Sequence, residues 1–100
     1  MLGIELITEE RKEQLQKHGI TLAMDANFNN HYQLSHAAQS MLYVDPEELD
    51  AKELEDGTFD FSHVCPNDWI VSKFNKMMNK PYKDRLVIAG ALIAAEIDRL

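Results

Sequence analysis

Residues 86–95 read LVIAGALIAA, ten consecutive positions without a charge. A helix lying on a protein surface shows polar residues every three to four positions, so this run predicts a helix buried around most of its circumference. It is about half the roughly 20 apolar residues needed to span a bilayer, which makes it a core element. The small residues Ala89, Gly90, Ala91, Ala94 and Ala95 let neighbouring helices approach closely. Glycine inside a helix costs about 1 kcal/mol against alanine, so Gly90 is expected where another backbone crosses. Pro81 opens this helix, and Glu96, Asp98 and Arg99 form its polar exit.

Outward from that run, Trp69, Ile70, Phe74, Met77 and Met78 recur as the buried stripe of a helix running from near Pro66 to about Asn79. Leu34, Ala37, Ala38, Met41 and Leu42 do the same for a helix from His31 to about Tyr43, with Asn30 as its cap and Gln33 three positions on. Thr8 caps a first helix, residues 9–18, in which Glu9 and Glu10 complement the dipole and Gly19 is the stop. Ile7 and Leu15 lie two turns apart on a face expected to meet the C-terminal helix. Residues 19–30, GITLAMDANFNN, keep no period and read as a loop held by Ile20, Leu22 and Phe28. Asp45, Pro46 and Glu48 repeat the helix-start signal for a short helix to about Leu54, after which Gly57 turns the chain into an extended piece with Phe59 and Phe61. The expected fold is all-α or predominantly α, one compact helical bundle of four to five helices around a buried C-terminal helix, with an acidic insert at about 45–60.

A chain of 100 residues with 45% apolar content can bury one modest core and is not generally disordered. Its lone cysteine, Cys65, has no partner for an intramolecular disulfide and fits a reducing compartment and a structural role. The opening MLGIELITEERKE lacks the basic start and apolar core of a secretory signal, so a soluble, cytoplasmic protein is expected. The net charge of −7 is unevenly placed. Between Asp45 and Asp60 lie Asp45, Glu47, Glu48, Asp50, Glu53, Glu55, Asp56 and Asp60 against the single base Lys52, and the acids and bases elsewhere cancel. Lys73, Lys76, Lys80 and Lys83 make the following stretch basic.

Three segments, ITEERKEQLQKHG, HYQLSHAAQSML and KPYKDRLVIAGALIAAEIDRL, together resemble a group of small proteins from bacterial phages and mobile elements. That group pairs an ERxxQ-like first helix with an AGALIxAEIxRL final helix. The resemblance covers about two thirds of the chain, leaves out the acidic segment, and implies provenance in a bacterial host more than it implies an activity. Where many relatives carry a loop of the kind HDDxH after the first helix, this chain reads AMDANFNN, keeping Asp25 but presenting Met24, Asn27 and Phe28. If that loop binds a metal in the relatives, the resemblance implies that the site is lost here.

Four chemistries compete for the function. An all-helical nucleotide pyrophosphohydrolase needs ExxE on one helix and ExxD on another to hold magnesium on a triphosphate. Glu10 and Glu13 supply the first, but Glu96 and Asp98 are two apart and point to different sides. This is the alternative reading. A histidine metal site from His18, His31, His36 and His63 lacks the i, i+4 spacing that puts two ligands on one helical face, and no serine lies in a glycine-flanked elbow. Direct nucleic-acid binding through Lys73, Lys76, Lys80 and Lys83, interleaved with Trp69, Phe74 and Tyr82, is opposed by the net charge, and core packing explains the aromatics better. The remaining candidate, and the favoured one, is a non-enzymatic accessory protein without cofactor. It binds a host or viral protein through Asp45, Glu47, Glu48, Asp50, Glu53, Glu55, Asp56, Phe59 and Asp60. Such a surface can imitate a phosphate backbone, in the manner of an anti-CRISPR-like inhibitor of a host defence or nucleic-acid enzyme. Self-association of the acidic segment with the lysine face is the competing form of this reading.

Overall fold

The computed structural model describes residues 1–17 and 32–100. The uncharged run lies within a helix, Tyr82–Arg99, preceded among the described residues by three others, Gly3–Lys17, Gln33–Met41 and Val71–Met78. They are α4, α1, α2 and α3 respectively. The described residues thus form a predominantly α structure in which α4 packs against both α1 and α2. Ile88, Ala89, Leu92 and Ala95 of α4 join Leu34, Ala37, Ala38 and Met41 of α2, and Phe74 and Met78 of α3, in one buried cluster completed by Phe61. Trp69 meets Phe74 edge-on at 6.2 Å between ring centroids.

The boundaries depart from the sequence expectation for identifiable reasons. Thr8 is not a cap; its hydroxyl donates back to the Ile4 carbonyl at 2.8 Å inside α1. The helix opens earlier because the Glu5 carboxylate reaches back to the Leu2 N–H at 3.2 Å, satisfying a donor that no preceding turn can serve. Tyr32, in the left-handed region at φ 63°, stands at the start of α2 and carries no side-chain cap bond. The Arg99 guanidinium lies 5.3 Å from the centre of its ring. The cap assigned to Asn30, the loop 19–30, His18 and His31 lie outside the described residues.

Leu15, Leu42 and Ile70, expected on buried faces, are exposed. Ile70 precedes the first turn of α3, which begins only at Val71. The helix expected from Pro46 to about Leu54 is a single 3-10 turn, Pro46–Leu49, capped by the Asp45 carboxylate on the Glu47 N–H. Asp50 ends it by adopting the left-handed region at φ 55°, and the chain then enters a strand, β1 (Lys52–Glu53), paired antiparallel with β2 (Phe59–Asp60). Backbone donors that would have extended a helix are used in this hairpin instead.

Gly90 is the site of a close approach, but a side chain makes it. A Cβ placed there would sit 2.6 Å from Ile7 Cδ1 and 2.9 Å from Ile7 Cγ1, so α1 docks by seating Ile7 on the glycine. Polar groups are also enclosed. Arg85 of α4 is buried and hydrogen-bonds the carbonyls of Tyr43, Val44 and Lys80, tying the exit of α2 and the exit of α3 to the start of α4. Glu96, also buried, accepts from the Ser35 hydroxyl at 2.6 Å and from Arg99. Burial pushes the Glu96 carboxyl up, but the Ser35 and Arg99 hydrogen bonds and the Arg99 charge outweigh it, leaving a pKa below the ordinary glutamate value.

Candidate functional site

The acidic segment is a fixed hairpin on the flank of α3. Its turn closes with Gly57 at φ 86°, a conformation open to glycine because it has no Cβ. The Asp56 carboxylate accepts from both the N–H and the hydroxyl of Thr58, at 3.0 and 2.6 Å. β2 has β1 on one edge; on the other, the side chains of Asn75 in α3 and of Asn79, which caps the C-terminus of α3, take the place of a neighbouring strand. Asn79 Oδ1 accepts from the Phe59 N–H at 2.8 Å, while its Nδ2 donates to the Phe59 carbonyl at 2.9 Å. One helical turn earlier, Asn75 Oδ1 accepts from the Phe61 N–H at 2.8 Å and its Nδ2 donates to Asp60 Oδ1 at 3.2 Å. The i, i+4 spacing places both amides on one side of α3, and β2 runs along it. Phe61 then drops into the core, and Phe59 packs against the core, its ring centroid 6.4 Å from that of Phe61.

This geometry divides the predicted binding residues. Asp45, Asp56 and Asp60 serve the backbone: the first caps the 3-10 turn, the second closes the hairpin, and the third accepts from the Ser62 N–H at 3.0 Å and from Asn75. Hydrogen bonds from the Thr58 hydroxyl and N–H hold the Asp56 carboxyl below the ordinary aspartate value. Bonds from the Ser62 N–H, and then from Asn75 and the Ser62 hydroxyl, do the same for Asp60. Phe59 is half-buried and belongs with the packing. Glu47, Glu48, Asp50, Glu53 and Glu55 are exposed and, together with the equally exposed Asp45 and Asp56, form the outward charge of the segment, with Lys52 among them.

The other candidates are dispersed. Lys73 and Lys76 are exposed on α3, whereas Lys80 and Lys83 line a groove with Leu6, Glu10, Asp84 and Val87 that mixes both signs of charge. Glu10 therefore faces lysines, and Glu13 is exposed and engaged in an interaction of its own. Among the described residues no set of three or more His, Cys, Asp or Glu side chains is placed to hold a metal ion. His36 and His63, far apart in the chain, come together on a cavity of about 320 Å³ with Cys65, Gln39 and Asn67. His63 Nε2 hydrogen-bonds the Leu49 carbonyl, joining a second 3-10 turn, Ser62–Val64, to the first, and burial pushes the Cys65 thiol up, away from the reactive thiolate.

The residues that sequence reasoning missed are Asn75 and Asn79. Their sequence signal was the i, i+4 repeat of asparagine inside an otherwise helical stripe, where asparagine disfavours the helix and needs a separate reason to be present. The AMDANFNN loop falls outside the described residues. No family model, no curated protein and no solved structure matches the chain. No helix among the described residues is long and apolar enough to cross a membrane.

Proposed function

We propose that this chain is a phage-type accessory protein that works by binding, presenting its acidic hairpin to the basic surface of a host or viral protein that otherwise holds a nucleic-acid backbone. The observation that carries the reading is the double asparagine clamp. It fixes a hairpin from whose segment Glu47, Glu48, Asp50, Glu53 and Glu55 are exposed. Carboxylates held in place before contact lose less conformational freedom on binding than those of a free tail. Their concentration on one segment steers a basic partner toward it and raises the association rate at low salt. Inhibition follows by occupation: a partner surface filled by the hairpin is closed to phosphates.

The test is capture of partners from a bacterial host lysate by the wild-type chain and by a variant carrying Glu47→Lys, Glu48→Lys, Glu53→Lys and Glu55→Lys. These positions are exposed and are not members of the core cluster, so the variant should keep its helical circular dichroism. The captured protein should be one that binds DNA or RNA, should be lost from the variant, and should be released by salt and by competing double-stranded DNA. Capture that survives the four reversals removes the proposal.

A further inference from the structure

We propose that Asp56 is a self-modification site: when the turn of the acidic hairpin opens, the Asp56–Gly57 linkage rearranges to isoaspartate, and the closed turn holds that reaction back. Of the four glycines in the chain, only Gly57 follows an aspartate or asparagine. Without a side chain, glycine leaves its backbone nitrogen unhindered toward the carboxyl group of the preceding residue. In the reaction the Gly57 nitrogen attacks the protonated Asp56 carboxyl. The N–Cγ bond forms, a Cγ–O bond breaks, and the hydroxyl leaves with the amide proton as water, closing a five-membered succinimide. Water then adds to the backbone carbonyl of Asp56 and breaks its bond to the Gly57 nitrogen. The chain now continues through Cγ, and the free carboxylate sits on Cα. One water is released and one is taken up, so no oxidant, reductant or other reactant is needed.

The closed hairpin occupies both reacting groups. The Gly57 N–H donates to the Leu54 carbonyl at 3.0 Å, the i to i+3 bond of a β-turn, and the Leu54 N–H donates to the Thr58 carbonyl at 2.7 Å across the hairpin. Asp56 Oδ1 accepts from the Thr58 N–H at 3.0 Å and from its hydroxyl at 2.6 Å. These bonds favour the carboxylate over the protonated carboxyl that ring closure needs. They also hold the side chain on Thr58, one residue beyond the nitrogen it would have to meet. Asp56 and Gly57 are both exposed, and nothing lies within 4 Å of a Cβ built on Gly57, so hydrogen bonds rather than packing keep the turn shut. Exposed backbone bonds with little packing open locally at a lower free energy than the whole domain. Isoaspartate lengthens the backbone by one carbon and takes the carboxylate away from the Thr58 donors, so a turn that has reacted no longer closes in its present register. The site is a property of the turn and does not depend on what the hairpin binds.

The experiment incubates the full chain at neutral pH, folded and in urea. Isoaspartate is counted by methyl transfer from labelled S-adenosylmethionine with a protein isoaspartate methyltransferase, and is located by peptide mapping. The unfolded chain should convert at Asp56 at least about tenfold faster than the folded one. Thr58→Ala removes the hydroxyl bond and keeps the N–H bond. While folded by circular dichroism it should convert about three- to tenfold faster than wild type, and in urea at the wild-type rate. Asp56→Glu, whose longer side chain would have to close a six-membered ring, should give no signal at this position. Equal rates in the folded and unfolded chains overturn the gating by the turn, as does a folded Thr58→Ala chain that converts no faster than wild type. An unfolded chain in which Asp56 stays intact overturns the site itself.

Discussion

Replacing Gly90 by alanine sets two opposed effects against each other. In the middle of a helix the change removes backbone freedom from the unfolded chain and should stabilise by about 1 kcal/mol. Here the added Cβ meets Ile7 Cδ1 at 2.6 Å, Cγ1 at 2.9 Å and Cγ2 at 3.4 Å. Rotating the outer methyl relieves only the first of these, so α1 itself must shift, and overpacking of this kind costs about 1–3 kcal/mol. Gly90→Ala should therefore lower stability by about 0–2 kcal/mol in the wild-type chain. In an Ile7→Ala background the obstruction is gone, and the same change should stabilise by about 1 kcal/mol. Urea unfolding of the four members of this cycle, followed by circular dichroism, reads the sign reversal directly as a coupling of about 1–3 kcal/mol. If Gly90→Ala stabilises both backgrounds equally, Ile7 is not seated on Gly90 and the docking of α1 on α4 is wrong. Gly90→Leu, with more bulk at the same point, should unfold the domain.

The asparagine clamp gives a graded result: Asn75→Ala strands the part-buried Phe61 N–H and should cost about 1–3 kcal/mol, more than Asn79→Ala, whose hydrogen bond to Phe59 is open to water. Amide exchange at Phe59 and Phe61 should accelerate in the matching variant, and equal protection in both would refute the clamp. Arg85→Ala removes the donor to three carbonyls and should cost about 3 kcal/mol or more in urea, with Arg85→Lys recovering only part because a single ammonium cannot span the fork. Glu96 is held below the ordinary glutamate pKa, so its contribution is complete above the unfolded value and is lost as the pH falls through the lower, folded one. The stability difference between wild type and Glu96→Gln should thus be constant near neutral pH and shrink below about pH 4.5, and a difference that does not change with pH would show that the carboxylate is not preferentially stabilised.

Much of the helical frame is legible from residue spacing. The buried residues Leu34, Ala37, Ala38, Met41, Phe74 and Met78 all belong to the stripes that helical periodicity picks out, because burial of one face needs only the local 3.6-residue repeat; Leu42 and Ile70 of the same stripes are exposed at the helix ends. The breaks at Gly57 and Pro81 are equally local. The helix expected after Pro46 failed for a reason no local pattern carries. Asp45, Pro46 and Glu48 open a helix, but the backbone groups beyond Asp50 find better partners in β2, whose position depends on α3.

The candidate site divides along the same line. By itself, the sequence located the excess negative charge between Asp45 and Asp60 and marked residues 86–95 as the helix about which the rest assembles, since charge and hydropathy are properties of residues wherever they fold. Only the tertiary structure decided that Asp45, Asp56 and Asp60 accept from backbone donors while the side chains of Glu47, Glu48, Asp50, Glu53 and Glu55 hold neither the turn nor the hairpin and are exposed. It also decided that the run at 86–95 is buried on two flanks and bare along Leu86 and Ile93. A long-range partner such as Asn75 for Phe61, or Ile7 for Gly90, is fixed by where whole elements pack, and that packing is set by the summed burial of many side chains rather than by any one stretch.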